Sequence, residues 1–195
     1  MKKMMMIAAL MVATLTASAQ NEVGQVTLKP MVGMTLANVT NANGSMKVGL
    51  AAGVEAEYGI TENFGLTAGV LYAMQGAKSK DNSDFKRHQD YINIPILANA
   101  YLTKGLAIKV GVQPAFLVRA KESYSANGVS ADVDIKDACK KFDFSIPIGI
   151  SYEYKSFVLD ARYNWGLTKC YKNDDSDKTS KNSVFMISLG YKFAL

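Results

Sequence analysis

Histidine occurs once in the 195 residues, tryptophan once, cysteine twice and proline four times. So little histidine and cysteine leaves scant material for a metal centre or for a nucleophile with a base beside it. The formal net charge is only +5, and it falls to +3 when Lys2 and Lys3 are set aside. With no block of like charges either, nucleic acid is not an expected partner. Beyond Leu15 no apolar run approaches the roughly 20 residues that a membrane-spanning helix needs. An amphipathic helical period is missing as well.

The first residues do have a purpose-built look. In MKKMMMIAALMVATLTASAQ, two lysines precede an apolar stretch, and Ala17-Ser18-Ala19 follows it. This is the pattern of a secretory signal cut before Gln20. Residues 1–19 are therefore expected to be a signal peptide and 20–195 one β-rich domain, exported to a bacterial envelope. No cofactor is expected.

Alternation with a period of two runs through the mature chain. In KVGLAAGVEAEYGI, Val48, Leu50, Ala52, Val54 and Tyr58 fall on one face, with Lys47, Gly49, Gly53, Glu55 and Glu57 on the other. That is the pattern of a strand with two unlike faces. Strands are expected at about 26–38, 47–59, 63–76, 89–102, 106–119, 141–154, 157–169 and 183–195. Gly59–Glu62, Thr103–Gly105 and Lys155-Ser156 make tight turns between them. Longer polar segments make the other connections, at Val39–Met46, Ala77–His88, Ala120–Lys140 and Lys169–Asn182.

Two barrels fit this pattern, distinguished by which face points inward. A soluble barrel with a ligand cavity would bury the apolar face and leave Gly49, Gly53, Gly65, Gly69, Gly111 and Gly149 outside, weakening the strands. A membrane barrel turns the apolar face to lipid, and the glycines relieve crowding in a narrow lumen. Aromatic residues also gather near strand ends, among them Tyr58, Phe64, Tyr154 and Phe157 by the turns, and Phe116, Phe142, Trp165 and Phe185 by the loops. Such bands mark the two membrane interfaces. The expected fold is therefore all-β: an eight-stranded antiparallel up-and-down transmembrane β-barrel with short periplasmic turns and long extracellular loops. Outer-membrane lipids are its surroundings.

The inward face then carries Lys29, Lys47, Lys109, Arg119, Arg162 and Lys192 against Glu55, Glu57, Asp143, Glu153 and Asp160. Near-balance of charge predicts a salt-bridge network that fills the lumen; a narrow ion pathway is the competing reading. Pro30, Pro95, Pro114 and Pro147 fall within strands, where each removes a ladder donor, so bulges or breaks are expected there.

The segments DYINIPILANAYL (Asp90–Leu102), YGITENFGLTAGVLY (Tyr58–Tyr72) and KVGVQPAFLV (Lys109–Val118) resemble PorT-like outer membrane β-barrel proteins, typical of Bacteroidetes. The resemblance implies an eight-stranded barrel, and the family's namesake takes part in type IX protein secretion. The final SLGYKFAL, with Gly190, Phe193 and Leu195 at the characteristic positions, resembles the signal read by the barrel assembly machinery, a partner during biogenesis. Leu195 replaces the commoner terminal aromatic.

The leading functional expectation is a non-enzymatic barrel with a structural or interaction role, meeting an envelope or surface protein through its loops. An accessory of a secretion or transport assembly, a lipid-modifying enzyme and a narrow channel are the alternatives. His88, in KRHQD, lacks the His-x-Ser-Asn surroundings of acyl-transferring barrels and reads as an exposed loop residue. The acidic stretch Asn173–Lys178 has Lys178 and Val184 where an EF-hand requires Gly and Glu, so it reads as a solvated loop. Cys139 and Cys170 flank the hairpin around Lys155-Ser156, one diagonal step from opposition. This places them within reach of a possible disulfide, in a compartment that keeps such bonds formed.

Overall fold

The computed structural model describes residues 23–40, 44–79, 85–126, 129–170 and 180–195. The expected signal peptide and the acidic stretch Asn173–Lys178 lie outside them. The strands are β1 (Val26–Val39), β2 (Gly44–Thr61), β3 (Phe64–Ser79), β4 (Phe85–Asn93), β5 (Ile96–Thr103) and β6 (Leu106–Ala126). They continue with β7 (Val129–Asp134), β8 (Phe142–Tyr154), β9 (Phe157–Gly166), β10 (Asn182–Tyr191) and β11 (Phe193–Ala194). Neighbours pair antiparallel in chain order, and β1 closes the ring on β10 and β11. The wall has eight strand positions, because β4 with β5, and β10 with β11, each form one interrupted stave.

Proline causes the interruptions. Between β4 and β5 stands Pro95, whose missing N–H ends the ladder locally. The β6–β8 pairing lapses between Val110↔Ile148 and Gln113↔Ser145, where Pro147 would face Gly111. At Pro30 the pairing of β1 with the last stave skips from Leu28↔Phe193 to Met31↔Gly190. Pro114 keeps its register opposite Phe144 of β8, but on its other side it faces Ile94, within the lapse between Asn93↔Ala115 and Ile96↔Val112.

The expected long loops are shorter than their sequences suggest, because strands run into them. The β2–β3 pairing reaches Gly44↔Ser79, and β6 continues to Ala126 before β7 folds back on it. Alternation fails to announce these extensions, since both of their faces meet water. His88 consequently lies within β4, opposite Lys121 of β6, and is half-buried rather than in an exposed loop.

Exposure settles which face is outward. Val32 is 64% exposed, Leu50 59% and Ile150 57%, whereas Glu55, Asp160 and Arg162 are each 1% exposed. Apolar side chains thus coat the outside and charges line the inside, the inversion required when the solvent is lipid. Edge-to-face rings brace both ends of this coat, Phe116 with Phe142 and Phe157 with Tyr191, at centroid distances of 5.6 and 5.1 Å.

Trp165, the single tryptophan, is 57% exposed on the lipid face. In vesicles, its fluorescence is expected to be quenched strongly by lipids with brominated acyl chains and weakly by aqueous iodide. The opposite ranking would place the apolar face in water.

Candidate functional site

The lumen is the most elaborate part of the molecule. Near mid-wall, β9 points Asp160 and Arg162 inward, two residues apart on one face. Arg162 grips its neighbour with both sides of the guanidinium: Nε donates to Asp160 Oδ1 at 2.8 Å and Nη2 to Oδ2 at 2.9 Å. Its Nη1 donates to Glu55 Oε1 across the lumen at 2.7 Å. Lys109 donates to Asp160 Oδ2 at 2.8 Å, and Lys29 pairs with Glu55 Oε2 at 2.8 Å. Each carboxylate is therefore shared by two or more cations. Such bidentate, charge-assisted contacts are short and directional.

Glycine makes the room for this cluster. A Cβ on Gly69 would lie 2.7 Å from Glu55 Cγ, and one on Gly149 would lie 2.7 Å from Arg162 Cβ. The small inward residues thus give the large ones their space.

Toward the short-turn end a second group forms. Lys192 Nζ donates to Glu153 Oε2 at 3.0 Å and stands 3.6 Å from Glu57 Oε2. Tyr101 donates its hydroxyl proton to Glu57 Oε1 at 2.6 Å, and Lys192 lies over the Tyr101 ring, 5.6 Å from its centroid. The first group carries three cations and two carboxylates, the second one cation and two carboxylates. Together they are neutral.

Above the mid-wall network sits an apolar cluster of Met31, Ala51, Leu71, Ala73 and Met186. Alternation alone does not announce it, because a period of two does not distinguish an apolar inward residue from a polar one. Two long unbranched methionines on adjacent staves, Met31 on β1 and Met186 on β10, are its sign in the sequence. Nearer the loops, Asp143 is held by neutral donors: Thr168, Asn182 at 2.8 Å and the Phe144 amide at 2.9 Å. Lys47 donates to the Gln75 carbonyl at 2.9 Å.

The expected eleven-residue network is therefore divided. Lys29, Glu55, Lys109, Asp160 and Arg162 form one group and Glu57, Glu153 and Lys192 another, while Lys47 and Asp143 face inward outside both. Arg119 is a correction. The β4–β6 register slips between Asp90 and Tyr91, and this irregularity turns Arg119 outward. Its side chain is 54% exposed and stands 3.9 Å from Asp90. Asp90 also accepts a hydrogen bond from Tyr72 at 2.8 Å.

The possible disulfide is a second correction. Cys139 and Cys170 are both buried thiols and do not form the bridge. The hairpin pairs Tyr154 with Phe157 as expected, and Lys140 N donates to the Cys170 carbonyl at 2.9 Å. The side chains, however, pack in separate clusters: Cys139 against Tyr91, Ala115, Leu117 and Ala120, and Cys170 against Val39 and Ala77. The β9 ladder ends at Gly166, and beyond it the simple register no longer fixes side-chain placement. Of the C-terminal residues, Gly190 pairs with Met31, Phe193 with Leu28, and Leu195 N donates to Val26 O at 3.0 Å.

Removing one partner from the mid-wall group leaves a buried charge uncompensated. Glu55→Ala and Arg162→Ala are each expected to lower the unfolding free energy in vesicles by about 3–5 kcal/mol. Lys121→Ala removes an exposed pair with Asp132 at 3.7 Å, and is expected to leave stability nearly unchanged. Urea titration followed by tryptophan emission reads all three.

The comparisons fit this geometry. The structure of Ail, the attachment invasion locus protein of Yersinia pestis, is similar at a TM-score of 0.51 and 15% identity, covering 88% of this chain and 100% of that one. Ail in complex with the heparin analogue sucrose octasulfate gives 0.53 and 14%, with the same coverage. Neisserial surface protein A gives 0.50 and 13%, covering 91% of this chain and 98% of its own. At these identities the likeness speaks for the fold alone. No curated protein matches the sequence. Residues 18–172 match the family described as outer membrane protein beta-barrel domain, and the chain, with its lipid-facing coat and charged lumen, belongs to that family.

Proposed function

We propose that this outer membrane barrel is a non-enzymatic interaction protein that engages an extended segment of an envelope or surface protein at its loop end. One observation carries the reading: β7 pairs with β6 alone and has no neighbour on its other side among the described residues. Ile135 N donates to Ala120 O, so odd-numbered residues of β7 turn their backbone groups to β6. Ser130, Asp132 and Asp134 turn theirs to the open edge. An open edge is a template for an added strand.

The side chains beside it favour a protein segment over a polyanion. Charges there come in both signs, with Arg87 paired to Glu122 and Lys121 to Asp132. The Ser123 hydroxyl donates to Asp132 at 2.7 Å and holds its carboxyl below the usual range. Asp132 therefore stays ionised at neutral pH. Ail's complex with a heparin analogue is a property of Ail; the mixed charges of β7 do not call for a polysulfate. An accessory role in a secretion assembly, suggested by the PorT-like segments, would use the same edge toward another envelope component.

A photo-crosslinking residue at Asp134, in cells carrying the full chain, is expected to give a discrete protein adduct. Ser130→Pro removes an edge donor without touching a bond to β6, and is expected to abolish the adduct, while Ser130→Ala keeps it. An adduct indifferent to the proline, or none at all, would contradict the reading. Deleting the gene is expected to leave the lipid A acylation pattern unchanged. An altered pattern would favour an enzyme.

A further inference from the structure

The seam where the barrel closes is interrupted beside Pro30. Leu195 N donates to Val26 O, so Val26, Leu28 and Pro30 turn their backbone groups toward the last stave. Pro30 stands opposite Tyr191 and has no hydrogen to give, which leaves the Tyr191 carbonyl without its ladder donor. The pairing lapses here without a change of register, and β10 breaks from β11 at Lys192. Beside this gap the outer wall is indented by a groove of about 430 Å³, lined by Pro30, Val32, Ala52, Phe157, Leu189 and Tyr191 among others.

We propose that this groove holds one acyl chain of an anionic phospholipid from the periplasmic leaflet. The groove is continuous with the lipid-facing coat, so lipid is the medium already in contact with it. It begins at Phe157, immediately after the Lys155-Ser156 turn, and runs toward Val32 and Ala52, the direction in which an inner-leaflet chain extends. Small Pro30 and Ala52 form its floor between bulkier neighbours. An empty indentation would forfeit the dispersion contacts of its walls, and a flexible hydrocarbon chain restores them.

The headgroup end has its own complement. Lys155 is exposed in the turn, with its Nζ 5.7 Å from the Tyr154 ring centroid. It supplies a positive charge at the depth where a phosphate sits. The Tyr191 carbonyl, opposite Phe157, lies near the same turn, where interfacial water reaches it. A second copy of the chain is a poorer occupant, since a stable protein contact buries on the order of 1,000 Å² or more and the groove spans only a few residues on four staves.

Native mass spectrometry of the delipidated full-length barrel, titrated with phosphatidylglycerol or phosphatidylcholine, tests the proposal. The unsubstituted protein is expected to retain one phosphatidylglycerol at least fivefold more than phosphatidylcholine. Ala52→Phe fills the slot from the lipid side and is expected to lose that retention, whereas Ile148→Phe, elsewhere on the wall, keeps it. Lys155→Gln is expected to keep binding but lose the preference for the anionic lipid. Heat-modifiable gel mobility verifies that each variant is folded. A measurement independent of variants uses phosphatidylglycerol with a photoactivatable chain, whose adducts are expected at Phe157, Leu189 and Tyr191. Adducts scattered around the wall, equal retention of the two lipids, retention undiminished in Ala52→Phe, or a lipid-free dimer would overturn it.

Discussion

Everything inside this barrel is arranged around one guanidinium. Arg162 is 1% exposed and bridges Asp160 on its own strand to Glu55 on the far side of the lumen. Burying a charge is costly unless partners and hydrogen bonds compensate it, and planar arginine does this with the least loss of geometry. Lys109 then adds a second contact to Asp160 Oδ2 and Lys29 pairs with Glu55 Oε2, and glycines on neighbouring staves yield the necessary volume. The extra positive charge of this group is offset by the extra negative charge of Lys192, Glu57 and Glu153 below it. A neutral, hydrogen-bonded plug results, capped by the Met31–Leu71–Met186 cluster.

That plug shapes what the protein is able to do. Side chains occupy the lumen, as expected for eight strands. The two features proposed for binding lie on the outer surfaces: the loop-end edge of β7, and the lipid-facing seam beside Pro30. The two lie at opposite ends of the molecule and draw on different shortages. One is a row of backbone groups without a strand. The other is a groove beside a proline that interrupts the ladder.

The wall was legible in the sequence because lipid and lumen impose a strict period of two. Val48, Leu50 and Val54 could only share a face, and the export pattern with Trp165 and the aromatic ends indicated that this face meets lipid. Glu55, Asp160 and Arg162 were placed inside by the same parity. Parity is also what failed at Arg119, where one irregularity in the ladder reverses inside and outside for the residues beyond it. Local sequence carries no mark of that slip. The β6–β7 extension was hidden for another reason: above the membrane both faces of a hairpin are wet, so alternation disappears. The cysteines lie past the end of the regular ladder, where register arithmetic has no hold. Pro30 was visible as a break, but its groove depends on which residues of β2 and β10 adjoin it, and only the closed ring brings those together.

The central claim is that a paired ionic network and an apolar cap seal the lumen. Conductance of the purified, full-length barrel in a planar bilayer tests it most directly. Unsubstituted protein is predicted to give no stable single-channel steps in molar salt, even at raised voltage. Reproducible steps of uniform size from the unsubstituted protein would contradict the account.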